Sequence, residues 1–246
     1  MNILVLCEGE TDAILISYFL SQKTGWHFIA DRPGMNLKVE PKKCESANWY
    51  QKGKDYLLIC GVGGCENIGS FFDKYIVAIQ QMDYKAENSF EKVFFIVDRD
   101  NKTEEQIEKG IIEKITRMEI KLSSSNWISN TYKSNYDGIE GAFDSYLLII
   151  PENEEGAIEN VVLQSISEDE YDKIIVDESN AFVDNVQSKA SKYIGQRRMA
   201  LKAKLGVVFA IMSPMKVFTF IDELLKQVDW NESEILQKTF EELIKL

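Results

Sequence analysis

Phe94-Phe95-Ile96-Val97-Asp98-Arg99-Asp100 is the stretch on which the reading of the chain turns. Its four apolar residues, all aromatic or β-branched, run without alternation, the pattern of a strand buried on both faces. The run then breaks into two acids one residue apart, followed by Asn101, Lys102 and Thr103. A strand that ends in Asp-x-Asp delivers two carboxylates to its carboxyl edge, where open α/β sheets bind their ligands. Two such carboxylates repel unless a cation lies between them, and hard oxygen donors suit Mg²⁺ or Mn²⁺. On this segment alone a solvated turn, with Asp100 or Asn101 capping the next helix, is an equal alternative.

The N-terminus carries a matching arrangement. Ile3-Leu4-Val5-Leu6-Cys7 is a second buried-strand run and ends in Glu8-Gly9-Glu10-Thr11-Asp12. A helix follows at once, with Ile14, Leu15, Tyr18, Phe19 and Leu20 at helical spacing. Gly9 permits a tight strand-to-helix turn, and Thr11 or Asp12 can cap. If the two strands are parallel neighbours, their acids converge on one pocket.

Tyr56-Leu57-Leu58-Ile59-Cys60 is a further core strand, followed by Gly61-Val62-Gly63-Gly64 and a helix bearing Ile68, Phe71, Phe72, Tyr75, Ile76 and Ile79. The glycine run lacks the Lys-Ser/Thr of a phosphate-binding P-loop, so a structural tight turn is the favoured reading. The spacing predicts a helix over 103–122, a short strand at Trp127-Ile128, a polar loop over 130–144 and a strand at Tyr146–Ile150 closed by Pro151. Trp26-His27-Phe28 and Leu37-Lys38-Val39 are candidate short strands around the turn signal Asp31-Arg32-Pro33-Gly34. Alternating buried strands and amphipathic helices give an α/β sheet over residues 1–166. From about 168 the periodicity is helical, with helices expected near 168–174, 179–194, 196–212, 215–228 and 231–245, forming a C-terminal lobe over 167–246 that packs on the sheet domain.

The pairing of Glu8, in its Glu8-Gly9-Glu10-Thr11-Asp12 context, with Asp98-Arg99-Asp100 about 90 residues later resembles the TOPRIM domain of primases, topoisomerases and OLD-family nucleases. The similarity is closer to the standalone bacterial OLD-type branch. It implies a TOPRIM-like, Rossmann-like, largely parallel sheet and a Mg²⁺- or Mn²⁺-dependent phosphodiester-cleaving enzyme. Asp98 and Asp100 would hold one metal ion, with a further metal-binding acid after a strand, Pro and Gly, where Glu159 matches best. Glu8 and Asp12 would hold a second ion, or Glu8 would act as general acid/base. The resemblance also implies a lysine near the metals, for which Lys189 is the candidate and Lys192 the next. The ATPase domain of larger OLD proteins would be supplied here by a separate partner.

Charge adds a second signal. The 246 residues carry a net charge of -12 from 40 acids, which argues against a general nucleic-acid coat protein. Yet no acid occurs from Asn185 through Ile221, a stretch that holds Lys189, Lys192, Arg197, Arg198, Lys202, Lys204 and Lys216. These form either a solvated face that balances the acidic sheet domain or a phosphate-contact face for DNA or RNA, with Lys192, Arg197, Arg198 and Lys202 as the contacts. Cys7, Cys44, Cys60 and Cys65 lack zinc spacing and read as reduced, packed thiols. With no signal peptide and no apolar run near the roughly 20 residues of a membrane span, a cytoplasmic protein without membrane contact is expected. The lone His27, beside aromatic residues, reads as packed or exposed rather than catalytic. The Phe94–Thr103 segment also resembles the nucleophile motif of haloacid-dehalogenase-type phosphatases, but that motif belongs on a first strand and leaves Glu8 unexplained. A non-catalytic, metal-binding regulatory module is the alternative from another functional class.

Overall fold

The computed structural model describes residues 1–34, 46–77, 89–134, 138–216, 225 and 230–246. Seven strands form one sheet: β1 (Asn2–Cys7), β2 (His27–Ile29), β3 (Ser46–Lys52), β4 (Asp55–Gly61), β5 (Lys92–Asp98), β6 (Ile128–Lys133) and β7 (Glu140–Ile150). Their spatial order is β2-β3-β4-β1-β5-β7-β6. The four central strands β4, β1, β5 and β7 are mutually parallel, while β3 and β6 pair antiparallel at the flanks. The two acid-bearing strands β1 and β5 are thus direct parallel neighbours, with Leu6 in register with Phe95.

Unbroken apolar runs suit these central strands because both faces of the sheet are covered. On one face Ile3, Val5, Phe94 and Ile96 pack under helix α1 (Glu10–Thr24) and the C-terminal helices; on the other Leu4, Leu6, Phe95 and Val97 pack under α2 (Cys65–Phe71) and α3 (Glu104–Ile112). The C-terminal helices are α4 (Ile158–Ile166), α5 (Glu170–Lys189), α6 (Arg197–Met212), α7 (Glu234–Thr239) and α8 (Glu241–Ile244). Val161, Val208, Trp230 and Phe240 join the same apolar cluster as the β1 and β5 side chains, so the helical segment and the sheet share one core. No described helix is long and apolar enough to cross a membrane.

Several local expectations give way to tertiary contacts. The helix expected over 103–122 ends at Ile112, because the Asp73 carboxylate accepts the Thr116 and Arg117 amides at 2.9 and 2.8 Å and draws the chain out of helical form. The polar stretch 130–144 is not a loop: most of it belongs to β6 and β7, where Asn130 Nδ2 donates to Ser145 Oγ at 2.8 Å. An edge strand needs only one apolar face, and its polar residues hide it from a search for continuous apolar runs. The two helices expected at 168–174 and 179–194 are the single helix α5, capped by Asp169, whose Oδ1 accepts from the Tyr171 and Asp172 amides. Strand β3, mixed in composition, carries no period that marks it. The expected strand at Leu37–Val39, and Cys44, lie outside the described residues; Cys7, Cys60 and Cys65 are free thiols.

Candidate active site

The carboxyl ends of β1 and β5 and the first turns of α1 and α4 bring four acids together. Glu8, Asp12, Asp98 and Glu159 are 1%, 9%, 4% and 2% exposed. Backbone amides fix three of these side chains. Asp98 N donates to Glu8 Oε1 at 2.9 Å, so the first strand's acid is tied to the neighbouring strand's end. Gly9 N donates to Asp12 Oδ2 at 2.8 Å across the first turn of α1. Ile158 N, at the start of α4, donates to Asp98 Oδ1 at 2.9 Å, where the positive end of the helix favours an anion.

Two glycine-dependent contacts shape the rim. Gly61 closes against the β1–α1 turn: a Cβ there would lie 2.6 Å from the Gly9 carbonyl oxygen, so only glycine fits. Gly64 N donates to the Glu8 carbonyl at 2.7 Å, which makes the Gly61–Gly64 run a brace for the β1 end. After β5, Asp100 exchanges backbone hydrogen bonds with Gly156 (2.7 and 3.1 Å) and adopts a left-handed φ of 52°. This non-glycine conformation is a local strain held by the facing loop, of the kind that collects at functional sites. Arg99 does not pair with either flanking aspartate; its Nε donates to the Pro151 carbonyl at 2.9 Å and its NH2 to the Glu152 carbonyl. The Asp98–Asp100 turn and the segment leading to Glu159 are thereby clamped together.

Two cations from α6 complete the cluster. Arg198, four residues before Lys202, shares its helix face. Arg198 NH2 lies 3.4 Å from Glu8 Oε2 and 3.7 Å from Asp98 Oδ2, and Lys202 Nζ donates to Glu159 Oε1 at 2.6 Å. Glu159 Oε2 is buried without a hydrogen-bond partner.

The acids strain one another electrostatically. Burial, then the charges of Asp12, Glu8 and Glu159, push the Asp98 carboxyl up to about 9 against the Ile158 hydrogen bond. Burial pushes Asp12 up to about 7, with the Glu8 and Glu159 charges adding to it and the Gly9 amide and Lys202 opposing. Glu8 is raised by burial and by Asp100, while the Asp98 amide and Arg198 pull the other way. The Arg198 guanidinium is held more firmly protonated by Glu8, Asp98, Glu159 and Asp100, although burial opposes this. Burial also raises the neighbouring Cys7 thiol, so it is an inert, protonated neighbour.

As placed, no group of three or more His, Cys, Asp or Glu among the described residues is disposed to hold a metal ion; Arg198 and Lys202 balance the charge instead. The donor set nonetheless fits a hard divalent cation. It is all carboxylate oxygen, its charges raise one another's proton affinity, and it keeps one buried oxygen free on Glu159.

The remaining candidate residues are spread around this cluster. Asp100 is half-buried at its edge. Lys189 is exposed at the last residue of α5 and makes no ion pair with the acid cluster. Lys192 lies over the Tyr193 ring at 5.0 Å, Arg197 pairs with Glu155 at 2.7 Å and Lys204 with Asp184 at 2.8 Å. Arg198 and Lys202, which the sequence presents as phosphate contacts, are inside the acid cluster. Their separation of four residues in a segment without acids is the signal that could have placed them there.

The family model described as "Protein of unknown function (DUF3226)" matches residues 2–244. The chain belongs to this family. Among solved structures it is similar to a hypothetical protein, PH0156, from Pyrococcus horikoshii OT3, with a TM-score of 0.54 at 15% identity, covering 100% of this chain and 98% of the other. That likeness shows a shared mixed α/β fold over the full length. No curated protein matches the chain.

Proposed function

We propose that the chain is a Mg²⁺- or Mn²⁺-dependent nuclease that hydrolyses phosphodiester bonds of DNA or RNA on a TOPRIM-like sheet. The observation that carries this reading is the burial of four mutually repelling acids at the carboxyl edge of two adjacent parallel strands. Asp98, Asp100 and Glu159 would hold the cation. A bound divalent ion supplies a Lewis acid for the phosphoryl oxygens and an activated water. Asp12, held at about 7 by burial, suits proton transfer near neutral pH, and burial raises the proton affinity of Glu8 as well. Lys192 and Arg197, outside the acid cluster, are the proposed contacts to the nucleic-acid backbone, which cations neutralise without reading sequence, and Lys189 remains the proposed lysine of the catalytic machinery. A separate ATPase is the proposed protein partner, and the cytoplasm the proposed location.

A nucleophilic Asp98 of the haloacid-dehalogenase type fits less well, since its Oδ1 already accepts the Ile158 amide and its residue is 4% exposed. One observation favours a non-catalytic module instead: Arg198 and Lys202 already neutralise part of the acid charge. Supercoiled plasmid and structured RNA incubated with the chain in Mg²⁺, Mn²⁺ or EDTA decide between the two. The nuclease reading expects cleavage in either metal and none in EDTA or with Asp98→Ala. Intact substrates in every condition would refute cleavage by the chain alone and favour the module.

A further inference from the structure

Resting on the metal-dependent reading above, we propose that Arg198 is a displaceable counter-ion. It closes the acid cluster until a divalent cation takes its place, then turns outward to bind a phosphate of the nucleic acid.

The geometry distinguishes the two cations of α6. Lys202 grips one acid at 2.6 Å. Arg198 instead spans two acids from different strands at 3.4 and 3.7 Å, well beyond the 2.7–2.9 Å of a strong charge-assisted bond. Its side chain is 40% exposed while those of Glu8 and Asp98 are 1% and 4% exposed. The guanidinium therefore reaches in from solvent over two carboxylates that cannot leave, because Glu8 is tied to the Asp98 amide and Asp98 to the Ile158 amide. A divalent cation drawing on Asp98 meets the guanidinium in the same space, and like charges at that separation exclude each other.

Release has a defined direction. Arg198 is the second residue of α6 and its side chain is 40% exposed, so a guanidinium that leaves the acids has solvent to turn into. A guanidinium freed from two carboxylates matches a phosphate in the same forked geometry. Arg198 thus couples the two binding events: nucleic acid gains its contact only after the cation has entered.

The test is a titration of the full chain with Mn²⁺, following free Mn²⁺ by electron paramagnetic resonance. Arg198→Ala and Arg198→Gln should bind Mn²⁺ about tenfold more tightly than wild type, equivalent to ~1.4 kcal/mol. Arg198→Lys, which keeps the charge, should stay near wild type, as should Lys204→Ala, whose partner is Asp184. A labelled oligonucleotide should bind wild type more tightly in Ca²⁺ than in EDTA, and Arg198→Ala and Arg198→Gln should lose that difference. Unchanged or weaker Mn²⁺ binding in folded Arg198→Gln would overturn the counter-ion role, while wild-type binding that Asp98→Asn abolishes would leave the metal reading standing. No Mn²⁺ bound by wild type at millimolar concentration would overturn both.

Discussion

Replacing Asp98 with asparagine removes a carboxyl that the fold disfavours as an anion and keeps the side chain's shape, and the fold should become more stable without metal. Folding holds this carboxyl at about 9 against an ordinary 3.8, so at pH 8 the native state works against a group that ionises freely once unfolded. At about 1.4 kcal/mol per pKa unit, relief of that penalty is worth several kcal/mol at most. Against it stand the lost contact with a half-exposed Arg198 at 3.7 Å and a weaker bond from the Ile158 amide, together ~1–2 kcal/mol. The net is a stabilisation of ~1–3 kcal/mol. In a chain of this size each kcal/mol moves the melting temperature by roughly 2–4 °C, so Asp98→Asn should melt roughly 2–12 °C above wild type in EDTA at pH 8. Wild type should gain stability on addition of Mg²⁺ and the variant should not. A variant that melts below wild type in EDTA would refute the claim that these acids strain one another.

Other perturbations test separate parts of the account. In EDTA the wild-type melting temperature should fall as pH rises from about 4 to 7, because Asp12's raised proton affinity favours the fold below its unfolded value and that advantage is lost as pH climbs through about 7. Asp12→Asn should reduce that slope, leaving the part that Asp98 contributes over the same range; an unchanged slope would count against the assignment. Gly61→Ala drives a methyl to 2.6 Å from the Gly9 carbonyl oxygen and should cost ~1–3 kcal/mol in urea unfolding, with weakened Mn²⁺ binding as the β1–α1 turn shifts. Lys202→Met leaves Glu159 buried and unpaired and should cost ~1–3 kcal/mol, discounted for the lysine's exposure, while adding Glu159→Gln should restore most of it. Additive losses in that double-mutant cycle would show that the pair is not coupled.

The parallel centre of the sheet was legible because β1, β4 and β5 are largely buried on both faces and, with the end of β7, leave continuous apolar runs. So was the meeting of Glu8 with Asp98, which follows once β1 and β5 are neighbours. The flanks were legible only in fragments: the candidate strands at Trp26–Phe28 and Trp127–Ile128 overlap β2 and the start of β6, while β3 and the rest of β6 have polar residues that mask any apolar period. Helix α3 ends early because of Asp73, which is distant in sequence and invisible to local spacing. The roles of the α6 cations were hidden for a similar reason. A basic run reads the same whether it faces solvent or a cluster of acids, and only the packing of α6 against α4 and the strand ends decides which charges turn inward. Lys189 and Lys202 are alike in sequence, yet one is exposed at a helix end and the other touches Glu159.

Anomalous diffraction from crystals grown with Mn²⁺ tests the central claim most directly. A peak is expected among Asp98, Asp100 and Glu159, with Arg198 turned away from the acids. Crystals that bind Mn²⁺ only elsewhere, with Arg198 still lying over Glu8 and Asp98, would contradict it.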